Sequence, residues 1–175
     1  PEVETTRRGV SQHILGQVVT GVRISQPKLR WPIPKQLDST LSGRLVQSVE
    51  RRAKYLLLGF EHGTLIIHLG MSGSLRILPT QRKPEKHDHF DLIFNDTCLR
   101  LRDPRRFGAV LWTRQNPESH NLLKDLGPEP LSASFKGDHL YQASRKRRSP
   151  VKSFIMDGHV VVGAGNIYAN EALFM

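Results

Sequence analysis

Hydrophobic positions recur with a helical period at the start of the chain and with a period of two after it. Residues 2–16 place Val3, Val10 and Ile14 on one stripe, with acidic residues in the first turn and Gly16 at the end, and so predict a helix. The alternation that follows predicts eight short strands, over residues 18–25, 44–51, 54–60, 64–70, 74–78, 89–94, 97–102 and 108–113. Short strands at such close spacing favour an antiparallel sandwich or barrel.

Beyond residue 114 the strand pattern ends and helical signals replace it. A short helix is predicted over residues 116–127, and a second from a cap at Asp138 into the basic run 145–148. A third helix begins at Ser149-Pro150 and ends at Gly158. The chain is therefore predicted to be an α+β protein, with an N-terminal antiparallel β-sandwich domain and its helix over residues 1–115 and a partial helical domain over residues 116–175.

The formal charge of the chain is +10, from 26 lysines and arginines against 16 acidic residues. Such an excess is typical of proteins that bind polyanions, although a basic structural domain without a nucleic-acid role is the alternative. The apolar stretches are too short to span a bilayer, so no membrane partner is expected. Cys98 is the only cysteine, which excludes an internal disulfide and fits a reducing cytoplasm.

Residues 163–174, GAGNIYANEALF, combine a glycine-rich turn with the start of a helix. Gly163 and Gly165 allow a tight turn, and Asn166 lies where a helix N-cap is expected. Backbone N–H groups at such a helix start form a phosphate site, whereas the alternative is an ordinary turn. The preceding helix and basic run favour a helix–two-turns–helix unit that holds a duplex backbone.

Several polar side chains lie on otherwise apolar strands. Lys54 shares its strand face with Leu56 and Leu58, so it is either a solvated strand end or an amine held near an anion. His68 lies opposite the apolar face of its strand, where a structural histidine is the default expectation. Three more polar residues share one face of a predicted strand: His87, His89 and Asp91. The two histidines could bind a metal, but we interpret the three residues as a polar face toward a groove.

Two predicted turns carry large apolar side chains. Met71 lies between two glycines after a strand, and Phe107 follows the paired arginines in RDPRRFGAVLW (102–112). Enzymes that work on a base inside a duplex extrude that base and fill the space it leaves with inserted side chains. Met71, Arg105 and Phe107 are therefore predicted to form a wedge that enters the base stack.

The same segments resemble the formamidopyrimidine-DNA glycosylase family of bacterial base-excision enzymes. The resemblance covers essentially the whole chain, and its segments are PEVETTRRG (1–9), LRWP (29–32), RRAKYLLL (51–58), HLGMSGSLRI (68–77), EKHDH (85–89), DPRRFGA (103–109), LGPEPL (126–131) and GNIYANEALF (165–174). Endonuclease VIII is a sister family of the same architecture, and the MSG loop and RRFG corner favour the purine-repair branch.

The resemblance implies a DNA glycosylase that removes 8-oxoguanine and formamidopyrimidines and is also an abasic-site lyase. An N-terminal proline amine forms a Schiff base at C1′, and β,δ-elimination then cuts the strand. Lys54 corresponds to the proton donor and phosphate contact, and Glu2 to an acid near the site. The implied partner is damaged double-stranded DNA, bound by a monomer in the bacterial cytoplasm, at the nucleoid, through His68, Met71, His87, Arg105, Phe107, Arg147, Lys152, Asn166 and Tyr168.

The chain departs from the family pattern at both ends. Pro1-Glu2 aligns with the second Pro-Glu of the family's opening sequence, so the nucleophilic proline is expected to be missing, although Pro1 as a free amine is the alternative. The family's four-cysteine zinc finger is absent too, so we expect no cofactor in this chain and a structural zinc in the missing part. An endonuclease VIII-like enzyme for pyrimidine lesions and a non-catalytic nucleic-acid binder remain open.

Overall fold

The computed structural model describes residues 2–175, and Pro1 lies outside the described residues. Contacts between Cα atoms divide the chain into two units. The sandwich unit comprises the described residues up to Arg51 together with Tyr55–Pro117, and the helical unit comprises Arg52–Lys54 together with Glu118–Met175. Within the described residues, no helix is both long enough and apolar enough to cross a membrane.

Residues 2–117 form two helices and eight strands. Their bounds are α1 (Glu2–Ile14), β1 (Gly21–Ile24), α2 (Leu37–Leu41), β2 (Ser48–Arg52), β3 (Tyr55–Phe60), β4 (Gly63–His68), β5 (Ser74–Pro79), β6 (Asp88–Phe94), β7 (Thr97–Arg102) and β8 (Ala109–Thr113). The predicted opening helix and all eight predicted strands are thus confirmed. The short helix α2 was not predicted, because five residues are too few to show a helical period.

Two four-stranded sheets are present in this part of the chain, in the orders β1-β6-β7-β5 and β2-β3-β4-β8. The pairing is antiparallel, as where Tyr55 of β3 lies opposite His68 of β4. The core is filled by strand positions of the predicted parity together with Val10 and Ile14 of α1. Burial of each such side chain contributes about 1.5–3 kcal/mol. The buried residues of β3 and β6 in this core are Leu56, Leu58, Phe60, Phe90, Leu92 and Phe94.

The opposite face of β6 does not line a groove, so this prediction is wrong for two of its three residues. Asp91 is 2% exposed and His89 is 4% exposed. Asp91 is held by Arg100, which lies opposite it on β7 and donates from Nε to Oδ1 at 2.7 Å and from Nη2 to Oδ2 at 2.8 Å. His89 is held by its ring Nε2, which lies 2.8 Å from the carbonyl oxygen of Asp103.

The described part of the helical unit contains three α-helices: α3 (Gly137–Ser144), α4 (Val151–Met156) and α5 (Asn166–Phe174). The helix predicted over 116–127 is wrong, because only a 3-10 turn forms at Pro117–Ser119, followed by separate turns. Nδ1 of His120 accepts the backbone N–H of Leu122 at 3.2 Å and so competes with the helical hydrogen bonds.

The start and end of α3 also differ from the prediction. Lys136 is the N-cap, and Asp138 lies in the first turn, where its charge favours the helix dipole without capping it. Arg145 is extended at φ −60° and ψ 137°, and Lys146 is left-handed at φ 61°. The basic run therefore follows the helix instead of forming its last turn.

We predict that the buried Asp91–Arg100 pair stabilises the sandwich unit strongly. The change Asp91→Leu removes the carboxylate that accepts from Nε and Nη2 of Arg100, which is 1% exposed, and leaves Asp88, at 3.5 Å, as a weaker partner. The free energy of unfolding should therefore fall by about 3–5 kcal/mol in urea denaturation. Glu61→Gln is the control, because Glu61 forms an exposed pair with Arg44 at 3.9 Å and should cost less than about 1 kcal/mol. Equal losses from the two changes would contradict the prediction.

Candidate nucleic-acid interface

The wedge residues of the sequence analysis lie on two loops at one end of the sandwich unit. Residues 69–73 connect β4 to β5, and residues 103–108 connect β7 to β8, so each loop crosses from one sheet to the other. His68 is paired with Ala109, and Ser74 with Arg102, at the roots of the two loops. Strand pairing therefore fixes the loops side by side.

Their apolar side chains point outward. Met71 is 73% exposed and Phe107 is 45% exposed. The guanidinium carbon of Arg105 lies 4.7 Å from the ring centroid of Phe107, within cation–π distance. Arg105 and Phe107 thus form one pair at the tip of the second loop.

The first loop is seated directly on the backbone of the second. Gly70 has φ +65°, and a Cβ there would lie 2.6 Å from the carbonyl carbon of Phe107 and 2.7 Å from the nitrogen of Gly108. A side chain at residue 70 would therefore be excluded both by its left-handed backbone and by the neighbouring loop. This contact brings the loop that carries Met71 against the loop that carries Phe107.

A buried carboxylate joins the two loops. Asp103 is 0% exposed; its Oδ1 accepts the Ser72 hydroxyl at 2.6 Å, and its Oδ2 accepts the Gly108 N–H at 2.7 Å. Ser72 Oγ also accepts the backbone N–H of Arg105 at 3.2 Å. Neither Asp103 nor Ser72 was predicted from the sequence. The signal that could have indicated Asp103 is its position between the end of a predicted strand and a proline.

Two of the histidines predicted to contact DNA, His68 and His87, are hydrogen-bonded to the two loops at this end of the sandwich unit. His68 Nδ1 accepts the Gly70 N–H at 3.0 Å, so this ring supports the first loop. His87 is left-handed at φ 77°, and its carbonyl accepts the N–H of Asp103 at 3.0 Å. Desolvation and then the nearby charge of Lys86 lower the pKa of His87 below its ordinary value.

In the helical unit, Lys54 is carried by a turn that Glu129 holds. Ala53 is left-handed at φ 54°, and its N–H donates to Glu129 Oε1 at 2.7 Å. Arg52 donates from Nη1 to the same oxygen at 3.1 Å and from Nη2 to the carbonyl of Gly127 at 2.7 Å. Neither Arg52 nor Glu129 was singled out from the sequence, because 77 residues separate them.

The turn before α5 lies beside this lysine. A Cβ built on Gly165 would lie 3.6 Å from Lys54 Nζ, so the amine reaches the glycine turn. Gly165 is the N-cap and Asn166 the first helical residue, so the helix begins one position earlier than predicted. The amides of the first turn of α5, from Asn166 to Tyr168, have no carbonyl of the preceding turn to bind and are suited to an anion.

The remaining predicted residues are more dispersed. Arg147 Nη1 lies 3.2 Å from Asp157 Oδ2, and its guanidinium carbon lies 5.5 Å from the ring centroid of Phe154. The pKa of Asp157 is lowered, first by the backbone N–H of His159 and then by the His159 ring.

Lys152 is the second residue of α4, and Glu2 is the first residue of α1 and is exposed. Within residues 2–175, no group of three or more potential metal ligands is assembled.

The sandwich unit has two antiparallel sheets and an opening helix, and the helical unit has a glycine turn that leads into a helix. These features define a class of mixed α+β proteins. The model of the formamidopyrimidine-DNA glycosylase N-terminal domain matches residues 1–110, and that of the formamidopyrimidine-DNA glycosylase H2TH domain matches residues 126–175. The chain belongs to the formamidopyrimidine-DNA glycosylase family.

Individual relatives agree with this assignment. The chain is 59% identical to the formamidopyrimidine-DNA glycosylase of Methylococcus capsulatus over 99% of its length, and 58% identical to that of Cellvibrio japonicus over 100%. It spans 65% of each of these proteins. A crystal structure of Lactococcus lactis FPG with FAPY-dG-containing DNA matches with a TM-score of 0.91 and 32% identity, over 99% of this chain and 66% of that one.

We predict that Glu129 holds the turn that carries Lys54. In Glu129→Gln the side chain loses its charge, and the Ala53 N–H loses a charge-assisted hydrogen bond, so amide hydrogen exchange at Ala53 should become about ten- to hundredfold faster. The measurement is exchange followed by NMR. Glu171→Gln, on the exposed face of α5, should leave this rate unchanged, and an unchanged rate in Glu129→Gln itself would refute the prediction.

Proposed function

We propose that the complete protein containing this chain is a DNA base-excision repair enzyme. It removes oxidised purines, 8-oxoguanine and formamidopyrimidines, from duplex DNA and cleaves the abasic site by β,δ-elimination. The observation that carries the proposal is the pair of interlocked loops that exposes Met71 and the Arg105–Phe107 pair together. Because the chain spans 65% of its relatives, the activity, substrate and partner of the whole protein belong to this proposal.

The exposed loop tips suit a gap in a base stack. An extruded base leaves apolar ring faces above and below the vacated space, and a thioether and a phenyl ring fill it without needing hydrogen bonds. The Arg105 guanidinium supplies donors for the base that has lost its partner. Stacking of one base on an aromatic ring is worth about 1–3 kcal/mol, which is of the order needed to offset unstacking.

The charged and polar residues are proposed to hold the DNA backbone. A net charge of +10 favours release of counterions from phosphates, and such contacts position a protein without reading sequence. Arg147 and Lys152 supply cationic groups, and the first turn of α5 supplies amides. The proposed backbone contacts are His68, His87, Arg105, Arg147, Lys152, Asn166 and Tyr168.

The chemical step is proposed to use Lys54. Its amine lies at the glycine turn of α5, where an anion would be bound, so it is placed to contact a phosphate and to donate a proton during elimination. Glu2, at the start of α1, is proposed to be an acidic group near the site. The Schiff-base amine, whether a proline preceding residue 1 or Pro1 itself, stays a prediction outside the described residues.

Three further assignments stay predictions. They are the boundary between domains at residues 115 and 116, a structural zinc held by cysteines outside this chain, and the bacterial cytoplasm as the compartment. Burial of Cys98, the only cysteine of the chain, is compatible with a reducing compartment. Monomeric action on damaged duplex DNA belongs to the same proposal.

We predict that Met71→Ala combined with Phe107→Ala removes recognition of damage while leaving binding to intact duplex unchanged. The phosphate contacts remain, but the groups that fill the gap are lost, so the preference for a duplex containing 8-oxoguanine should fall about tenfold or more. The measurement is the ratio of the two dissociation constants at one fixed salt concentration.

Leu131→Ala is the matched control, because Leu131 is 100% exposed and lies on neither loop. An unchanged preference in the double variant would contradict the wedge. A preference for oxidised pyrimidines in the unaltered protein would instead favour an endonuclease VIII-like enzyme, and binding without any lesion preference would favour a non-catalytic binder.

We predict that Lys54→Ala separates the two chemical stages. The protein should still be trapped on oxidised duplex by borohydride, because the Schiff-base amine lies elsewhere, whereas strand cleavage should slow by about 10²–10⁴-fold. Lys124→Ala, an exposed lysine of the helical unit, should change neither. Loss of the trapped adduct in Lys54→Ala would make Lys54 the nucleophile, and unchanged cleavage would remove it from the mechanism.

A further inference from the structure

The carboxylate of Asp103 is the point at which three DNA-facing segments of the sandwich unit meet. Its side chain accepts from Ser72 on the first loop and from Gly108 on the second. Its backbone carbonyl lies 2.8 Å from His89 Nε2, and its backbone N–H donates to His87. One fully buried residue is thus bonded to both wedge loops and to the segment that carries His87.

The donors that Asp103 engages with its side chain are neutral. A buried carboxylate oxygen that loses its donor is left without a hydrogen bond to compensate for its burial, so the positions of the hydroxyl and the amide are constrained. Displacement of one loop relative to the other breaks the bond from Ser72, and a change of shape within the second loop breaks the bond from Gly108, so both are opposed by the burial of the carboxylate. The loops are consequently coupled, and movement of one is resisted by the other.

Ser72 extends this coupling to the tip of the second loop. Its hydroxyl donates to Asp103 Oδ1 and accepts the Arg105 N–H. A single oxygen of the first loop is thus bonded to both Asp103 and Arg105 of the second loop. Arg106 is left-handed at φ 56°, and its N–H donates to the Asp103 carbonyl at 3.2 Å. The sharp bend that turns Arg105 onto Phe107 is held from both sides.

We propose that Asp103 and Ser72 are positioning residues that lock Met71, Arg105 and Phe107 into one preformed unit before DNA is bound. The inference rests on the proposed wedge function and adds to it the device that orders the wedge. Neither residue touches the base. A preformed unit enters the stack without first having to order two separate loops, so base extrusion is faster and recognition of damage is sharper.

The test uses Ser72→Ala and Asp103→Asn in the complete protein. Ser72→Ala deletes one hydroxyl and with it both bridging hydrogen bonds. Asp103→Asn has nearly the same shape, but its single amide oxygen accepts from only one of the two loops. Ser74→Ala is the matched control, because it deletes a hydroxyl two residues away that takes no part in the bridge.

Four quantities are measured for each variant: the thermal unfolding midpoint, the affinity for intact duplex, the preference for a duplex containing 8-oxoguanine, and the rate of extrusion reported by 2-aminopurine placed beside an 8-oxoguanine. Ser72→Ala is expected to stay folded, with a midpoint lower by about 2–8 °C because a buried carboxylate oxygen loses its donor. It is expected to keep the affinity for intact duplex and to lose lesion preference and extrusion rate by about ten- to hundredfold, the loss expected for hydrogen bonds to a charged group. Asp103→Asn is expected to do the same wherever it folds. Ser74→Ala is expected to match the unaltered protein throughout.

Native lesion preference and extrusion rate in Ser72→Ala, or in folded Asp103→Asn, would overturn the inference, and the Ser72 variant decides alone if the Asp103 variant does not fold. The Met71→Ala, Phe107→Ala double variant separates this failure from failure of the proposed function. If the double variant loses lesion preference and Ser72→Ala does not, the wedge stands and its locking by Asp103 is wrong. If the double variant keeps lesion preference, the wedge itself is wrong.

Discussion

Asp103 places a carboxylate beneath the surface of the sandwich unit, where its side chain accepts one hydrogen bond from Ser72 of the first loop and one from Gly108 of its own, second loop. Leaving one buried donor or acceptor unpaired costs about 1–3 kcal/mol, so the two crossing loops are most stable when both are in place. The pairing of His68 with Ala109 places the starts of the two loops side by side. Because Gly70 has no Cβ, the first loop can contact the backbone of the second loop at Phe107 and Gly108. The loops are anchored by these buried bonds, and Met71 and Phe107 are exposed at their tips.

The helical unit uses the same principle with a different carboxylate. Glu129 accepts both a backbone N–H and a guanidinium from the turn that carries Lys54, and that turn is left-handed at Ala53. The lysine amine is consequently held beside Gly165, at the start of α5. In each unit an acidic residue bonded to neighbouring backbone fixes an exposed loop or turn, and the net charge of +10 favours polyanions whatever their sequence.

The sequence predicted the parts of this arrangement that depend on local pattern. Alternation placed eight strands and assigned Leu56 and Phe90 to the core, and the odd apolar residues Met71 and Phe107 were found because a turn does not bury them. The pattern missed what depends on strand pairing: Asp91 looks like a surface acid until Arg100 is placed opposite it on β7. The helix expected over 116–127 failed for a local reason of another kind, since a histidine ring captured a backbone N–H that the helix required.

The central claim is that the tip of the first loop enters the base stack, and the methyl group of Met71 reports on it directly. In the complete protein labelled at its methionine methyl groups, saturation with duplex containing 8-oxoguanine should move the Met71 methyl proton signal upfield, because base rings then lie above and below it. Met156, in α4, is not proposed to enter the base stack, so its methyl signal should show no comparable upfield shift. A Met71 signal that keeps its free position in the saturated complex would contradict the account.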